Sequence, residues 1–365
     1  MKNLLLLLCI TVFLQTIVFA QDSDSRATQT ENSDTTGISF WKEHNFNFAA
    51  IPIVAYDPSL GWNFAGMLNA FFQVSAADTV SPLSLIGGFG GYTTNKSWYW
   101  GLYTKLYFDE DNYRLSLAYG DISINFQYFE EQASTYIGFN TLYDAFMFEG
   151  RRRIYNRWYL GLKYVGLETK TLHEIEGEDP ITTNMNNMGF IISHDTRDLI
   201  YNPMHGDYMD FKTGHYRETL GSDYIFDKWE FTFTDYFNID TSRVVAARFA
   251  AFIATGDVPF EGQYIVGNDD IRGYTDGKHR GDQVYALQAA YRWHIVGKWG
   301  IVAFAGIATA VDAVSEISFN ELLPGVGVGL RYMMIPSEKI NVGIDVAFGK
   351  EDWGVYFRIT EAFGS

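Results

Sequence analysis

Cysteine is all but missing. Cys9 is the sole one in 365 residues, so neither a disulfide framework nor a thiolate metal site can be built. Histidine is scarce too, with seven residues and no paired ligand spacing. Charged residues make up only 19% of the chain, and basic ones are outnumbered 27 to 44, which argues against a surface for nucleic acid or other polyanions. Beyond the first twenty residues no apolar run approaches the roughly 17–25 residues of a spanning helix. Aromatics, by contrast, reach 17%, and there are 34 glycines. A chain so rich in rings and poor in charge is not disordered. Two classes remain, a large soluble β protein or a membrane β-barrel. Length favours two domains at roughly 150 residues each, a prior that single barrels routinely break.

The N-terminus sets the compartment. Met1 to Ala20 reads as a secretory signal peptide: Lys2 gives the positive start, Leu4 to Phe13 the apolar stretch, and Val18 and Ala20 the small-residue positions before cleavage. The competing reading, a helical anchor, is too short and is interrupted by Gln15. Cys9 lies within the signal, so the mature chain is expected to hold no cysteine. Loss of Lys2 leaves 26 basic against 44 acidic side chains, a net of −18. Residues 21–45 are polar and read as a tether, and 46–365 as one β-barrel.

Membrane barrels place apolar side chains toward lipid and small or polar ones toward the lumen, with period two. Trp353, Val355, Phe357, Ile359 and Phe363 fall on one face, against Gly354, Tyr356, Arg358, Thr360 and Ala362. Val326, Val328 and Leu330 alternate with Gly325, Gly327 and Gly329, as expected of a lumen wall that something approaches closely. Such segments are expected at 46–56, 60–72, 82–92, 96–108, 112–128, 134–150, 156–173, 183–194, 206–218, 223–239, 242–256, 282–296, 298–312, 322–335, 338–349 and 352–363. Sixteen is an even number, as single-chain bacterial barrels require. A soluble sandwich also alternates. The signal peptide, strands filling the whole chain and aromatics crowded at strand ends weigh against it. The fold class read from sequence is therefore all-β, a transmembrane antiparallel barrel of sixteen strands.

One connection is long. Asp257 to Gly281, between the eleventh and twelfth segments, holds Gly267-Asn268-Asp269-Asp270-Ile271-Arg272-Gly273-Tyr274. Long ordered loops are usually functional. Arg272 could pair with lumen carboxylates if the loop folds inward, while Gly273 permits a tight turn. On physics alone a plain surface loop with one solvated arginine is the simpler reading.

Those residues nevertheless resemble a known family. Ile271-Arg272-Gly273-Tyr274, followed by a strand ending in Ala290-Tyr291-Arg292-Trp293, is similar to the outer-membrane assembly-factor superfamily. This is the bacterial surface antigen family, which includes the BamA and TamA insertases and the two-partner-secretion transporters. Asp195, Arg197, Asp198, Asn202, Pro203 and Gly206 resemble its turn before the ninth strand, and Gly325 to Phe363 its closing strands. The resemblance implies that the loop enters the lumen with Arg272 tethered to the inner wall, and that the first and last strands form a weak seam that can open sideways. Pro52, which lacks a ladder donor, and Gly349 and Gly354, which bracket the last strand's start, fit such a seam, as does the terminal Phe363. An opened edge can template a client strand.

Two departures stand out. Where the family carries an aspartate on the thirteenth strand to receive the arginine, this chain has Gly306, and the acidic position on the twelfth is Ala290. Arg272 is thus expected to pair with Asp312, Glu230 or backbone carbonyls, or to remain in solvent. The 25 residues from Gln21 to Asn45 are too short for a periplasmic POTRA domain. A barrel-only branch is expected, with any client-receiving module supplied by a separate periplasmic or lipoprotein subunit.

Other constellations carry less. Ser193-His194-Asp195 are neighbours on a strand, point to opposite faces and cannot converge as a hydrolytic triad. Asp269, Asp270 and Asp276 lack calcium-loop spacing. Arg151-Arg152-Arg153 should end the sixth segment at the periplasmic rim, as a solvated cluster or a contact for anionic lipid. The expectation is a non-enzymatic barrel without cofactor or metal, lying in outer-membrane lipid. It would assist insertion or translocation of client outer-membrane or secreted proteins. The alternatives are a passive channel or an accessory barrel.

Overall fold

The computed structural model describes residues 46–57, 61–130, 135–173, 180–267, 270–274, 278–336 and 339–363. The expected signal peptide and tether lie outside these residues. Sixteen long strands follow one another: β1 (Asn47–Asp57), β2 (Gly61–Phe72), β3 (Ser84–Thr93), β4 (Trp98–Phe108), β5 (Tyr113–Glu130), β6 (Thr135–Tyr155), β7 (Trp158–His173) and β8 (Ile181–Asp195). The second half gives β9 (Gly206–Tyr216), β10 (Phe226–Asp240), β11 (Arg243–Gly256), β12 (Gln283–Val296), β13 (Trp299–Val311), β14 (Leu323–Ile335), β15 (Ile340–Gly349) and β16 (Asp352–Ile359). Each pairs antiparallel with the next, in chain order, in one sixteen-stranded sheet. Every expected segment is a strand. No helix among the described residues is long and apolar enough to cross a membrane.

Period-two alternation drives this architecture. The outward positions carry Phe64, Leu68, Leu102, Leu162, Leu287 and Val328, each more than half exposed. Water would not tolerate that band, whereas lipid requires it. Rings flank it at both ends: Tyr155, Trp158, Trp293 and Trp299 beside the short turns at one rim, Trp62, Tyr92 and Trp353 at the other. These are interfacial girdles. The register carries the pattern across the sheet, with Leu330 beside Ile344 on the outer face. The inner face is polar and crowded.

Most boundaries shift by one to three residues, and two, the ends of β6 and β16, by five and four. β6 runs on to Tyr155 because its arginines are strand residues and not a solvated turn. Arg151 points inward, donating to Glu149 at 2.9 Å and Asp210 at 3.2 Å; Arg153 donates to Asn112 at 3.0 Å. β16 stops at Ile359 and does not continue to 363. Thr360 takes a left-handed backbone, φ +65°, which a β-branched residue seldom adopts, and the chain turns into the barrel. Phe363 therefore leaves the lipid-facing row assigned to it by alternation and packs inside against Tyr236, Val244 and Ala246. The Tyr236 hydroxyl donates to its carbonyl.

Candidate functional site

The long connection between β11 and β12 enters the lumen. Val266, Ile271, Arg272 and Tyr274 are at most 2% exposed and pack on Ala250, Val284, Ala286, Ala308 and Leu323 of the inner wall. A two-residue ribbon, Tyr264–Ile265 against Arg280–Gly281, closes the base of this insert. The inward glycines of β14 and β15 make its entry possible. A Cβ on Gly325 would lie 2.6 Å from the Arg272 carbonyl oxygen, and one on Gly349 would lie 2.5 Å from that of Gly273. Gly273 itself, at φ +110°, presses on the Phe348–Gly349 backbone. Its amide donates to the Tyr356 hydroxyl at 2.8 Å, and the Tyr274 hydroxyl donates to the Pro324 carbonyl at 2.6 Å. Backbone fits against backbone here, which only glycine allows.

Arg272 finds a carboxylate that sequence reasoning did not name. Its Nη1 donates to Asp345 Oδ2 at 2.5 Å, both side chains fully buried, and its guanidinium lies flat on the Phe304 ring, 3.3 Å from the centroid. The expected partners are engaged elsewhere. Glu230 receives Lys163 at 3.3 Å and the Tyr264 hydroxyl at 3.1 Å, while Asp312 accepts the Asp282 amide at 3.3 Å. Gly306 cannot be replaced by a larger residue without meeting Gln288 and the Leu287 carbonyl. The acceptor has thus moved two strands along, from β13 to β15.

Asp345 is a hub. Arg331 of β14 donates to Oδ1 at 2.5 Å, and Arg358 of β16 donates to Oδ2 at 3.1 Å. Arg331 also pairs with Glu361 at 3.1 Å, and Asn341 donates to Glu361 at 2.8 Å. The strut therefore joins the inserted loop, three closing strands and the inturned C-terminal segment. A faint signal existed in the sequence. Asp345 and Arg331 are the lone charges, at inward positions, of otherwise glycine-rich or apolar strands, and Arg358 is the one charge past the first residue of β16.

The turn before β9 also does more than reverse the chain. Arg197 pairs bidentately with Asp195, at 2.8 Å for both Nε and Nη2, and its guanidinium stacks on Tyr208. Arg114 joins Asp195 at 2.6 Å and Asp111 at 2.8 Å. Asp198 accepts the Met204 amide at 2.8 Å. Gly206, at φ +95°, leaves no room for a Cβ beside the Thr196 carbonyl. Between these anchors the turn crosses beneath the lumen. Tyr201 donates to the Leu83 carbonyl at 2.9 Å on the β3 side and accepts the Glu361 amide at 3.2 Å on the β16 side. Asn202 donates to the Lys339 carbonyl at 3.0 Å, and the Pro203 carbonyl accepts from Arg292. Ser193 and His194 do not converge: the serine donates to Asp210 at 2.6 Å, and the histidine meets Asp207 at 2.8 Å.

At the expected seam, no ladder joins β1 to β16 among the described residues. Pro52 is exposed on the outer face of β1, opposite Gly66 of β2. Gly354 lies inward under the Tyr356 ring, and Gly349 receives the loop. Phe363, grouped with the seam from sequence, sits across the lumen against β10 and β11.

Known proteins share this fold. The chain is similar to BamA from Haemophilus ducreyi lacking POTRA domains 1–3, at 13% identity and TM-score 0.55, over 87% of this chain and 70% of that one. It is similar to CdiB from Acinetobacter baumannii at 11% identity and TM-score 0.60, over 86% and 59% of the two chains. CdiB from Escherichia coli gives 10% identity and TM-score 0.61, over 86% and 62%. At such identities the likeness is one of fold. The chain spans about three fifths of the CdiB lengths. No curated protein sequence matches. The profile of the Omp85 superfamily domain matches residues 68–363, which is most of the barrel and includes the inserted loop and its acceptor strand; the chain belongs to the Omp85 superfamily.

Proposed function

We propose that this barrel resides in the bacterial outer membrane and assists insertion or translocation of other proteins through its β1/β16 seam. The observation that carries the reading is the absence, among the described residues, of a ladder between β1 and β16 in a sheet where every other neighbour is paired. An exposed sheet edge can accept a client strand by augmentation. Pro52 in β1 and Gly354 in β16 keep that edge poorly suited to self-closure. The filled lumen supports this reading over a passive channel, because Arg272, Tyr274 and Phe363 occupy space that a conducting bore would need. The work is binding and templating, without a chemical step or cofactor. Client proteins are the partners, and a separate periplasmic or lipoprotein subunit delivers them.

The test is a cysteine pair placed across β1 and β16, in a mature chain expected to hold no other cysteine. Cells depleted of the native protein and supplied with the pair should assemble outer-membrane proteins only when the pair is reduced. Unchanged assembly with the pair oxidised rules out lateral opening. A large, steady conductance of the wild-type protein in planar bilayers would favour the channel instead.

A further inference from the structure

Beside the strut lies a small cavity of about 10 Å³, room for one water-sized particle, lined by Arg272, Arg292, Arg331, Glu361, Tyr236 and Phe363 among others. Its wall is short of acceptors. Nε and Nη2 of Arg272 and Nε of Arg292 are buried without a hydrogen-bond partner. Arg292 spends its other nitrogens on neutral oxygens, Asn202 Oδ1 at 3.2 Å and the Pro203 carbonyl. Arg248, stacked 5.9 Å from the Phe363 ring centroid, adds another buried Nε without a partner and no ion pair among the described residues. Arg248, Arg272, Arg292 and Arg331 thus face two carboxylates, Asp345 and Glu361, and Asp345 also serves Arg358. Five guanidiniums against two carboxylates leave an excess of three positive charges around the strut. A lysine could shed its proton there, but a guanidinium cannot. Buried charge without a counter-charge is among the costliest arrangements a protein can hold.

We infer that this cavity binds one small inorganic anion of halide size, held by Arg272 and Arg292. The volume excludes sulfate, phosphate and carboxylate ligands. Glu361, the acidic group in the wall, is already matched by Arg331 and Asn341, so it does not cancel the attraction. The three walls belong to separate pieces of chain: the inserted loop gives Arg272, β12 gives Arg292, and the inturned C-terminal segment gives Phe363. A bound anion therefore fastens loop and tail to the same wall, a role independent of what the seam does.

The experiment uses the purified full-length chain. Crystals soaked in sodium bromide should give an anomalous peak between Arg272 and Arg292. The unfolding midpoint should rise by roughly 2 °C or more from gluconate, too large to enter, to chloride at equal ionic strength, and should saturate with chloride. Arg292→Gln should abolish that difference. No bromide peak, or a chloride effect that persists in Arg292→Gln, overturns the inference. Should the variant not fold, the wild-type bromide map decides alone.

Discussion

At the scale of single residues, Asp345 outranks Arg272. Removing the arginine leaves Asp345 with Arg331 and Arg358, both still within ion-pair distance. Removing the carboxylate strands buried guanidiniums together, a loss of about 3–5 kcal/mol for a broken buried pair. Asp345→Ala is therefore expected to lower the unfolding midpoint clearly more than Arg272→Met, measured by tryptophan fluorescence in detergent. Equal losses would mean that the hub is an ordinary pair. A second residue-scale effect sits outside the membrane strands, in the loop from β2 to β3. Burial pushes the Asp78 carboxyl up, but the Ser81 hydroxyl and the amides of Ser81, Glu110 and Val80 donate to it and hold it at about 2. A carboxylate depressed on folding stabilises fully above its unfolded value of about 4 and loses that contribution as pH falls toward 2. Asp78→Asn should flatten the fall in melting midpoint between pH 4 and pH 2, where the wild type drops.

At the scale of elements, the insert and the β14–β15 wall are one fitted unit. The Val326, Val328, Leu330 row faces lipid while Gly325 faces the loop and Gly327 and Gly329 face Phe304 and Asp345, so a single strand serves two incompatible neighbours through alternation alone. Gly325→Val would drive a branched side chain into the Arg272 carbonyl and the Ile271 side chain. The strand should survive, since valine favours strands, and the loop should be displaced. A several-fold rise in planar-bilayer conductance over wild type is the expected reading; an unchanged trace would mean that the loop does not occlude the bore. The same elements show what was legible beforehand. Period two is a local property, so all sixteen strands could be found from the sequence. Glycines at inward positions signalled close approach before anything was known to approach. The receptor of Arg272 was not legible, because Gly306 removed the expected acceptor and its replacement depends on which strands neighbour the loop tip. The inward turn at Thr360 was only faintly visible: 352–363 alternates except at Glu361, which breaks the lipid-facing row, and contacts to Tyr201, Arg331 and Tyr236 draw the end of the chain off that row.

At the scale of the whole molecule, charge is unevenly placed. The chain carries a formal net of −17, yet the region around the strut is cation-rich, so the acidic excess lies elsewhere in the chain. The proposed seam, where no ladder joins β1 to β16 among the described residues, should be the molecule's weakest line. A covalent lock between β1 and β16 should accordingly raise the melting midpoint of the oxidised form above that of the reduced form, in the same preparation used to assay client assembly. A seam already closed by a hidden ladder would show little difference.

The turn through Tyr201 and Asn202 has a mechanical consequence. A ladder frays residue by residue, so its opening is graded. A clasp made of Leu83, Glu361 and Lys339 contacts on one short segment has few grips to lose, and they let go together. Parting of the two edges should then behave as a discrete event, with a rate that one substitution at Tyr201 can retune without touching either edge.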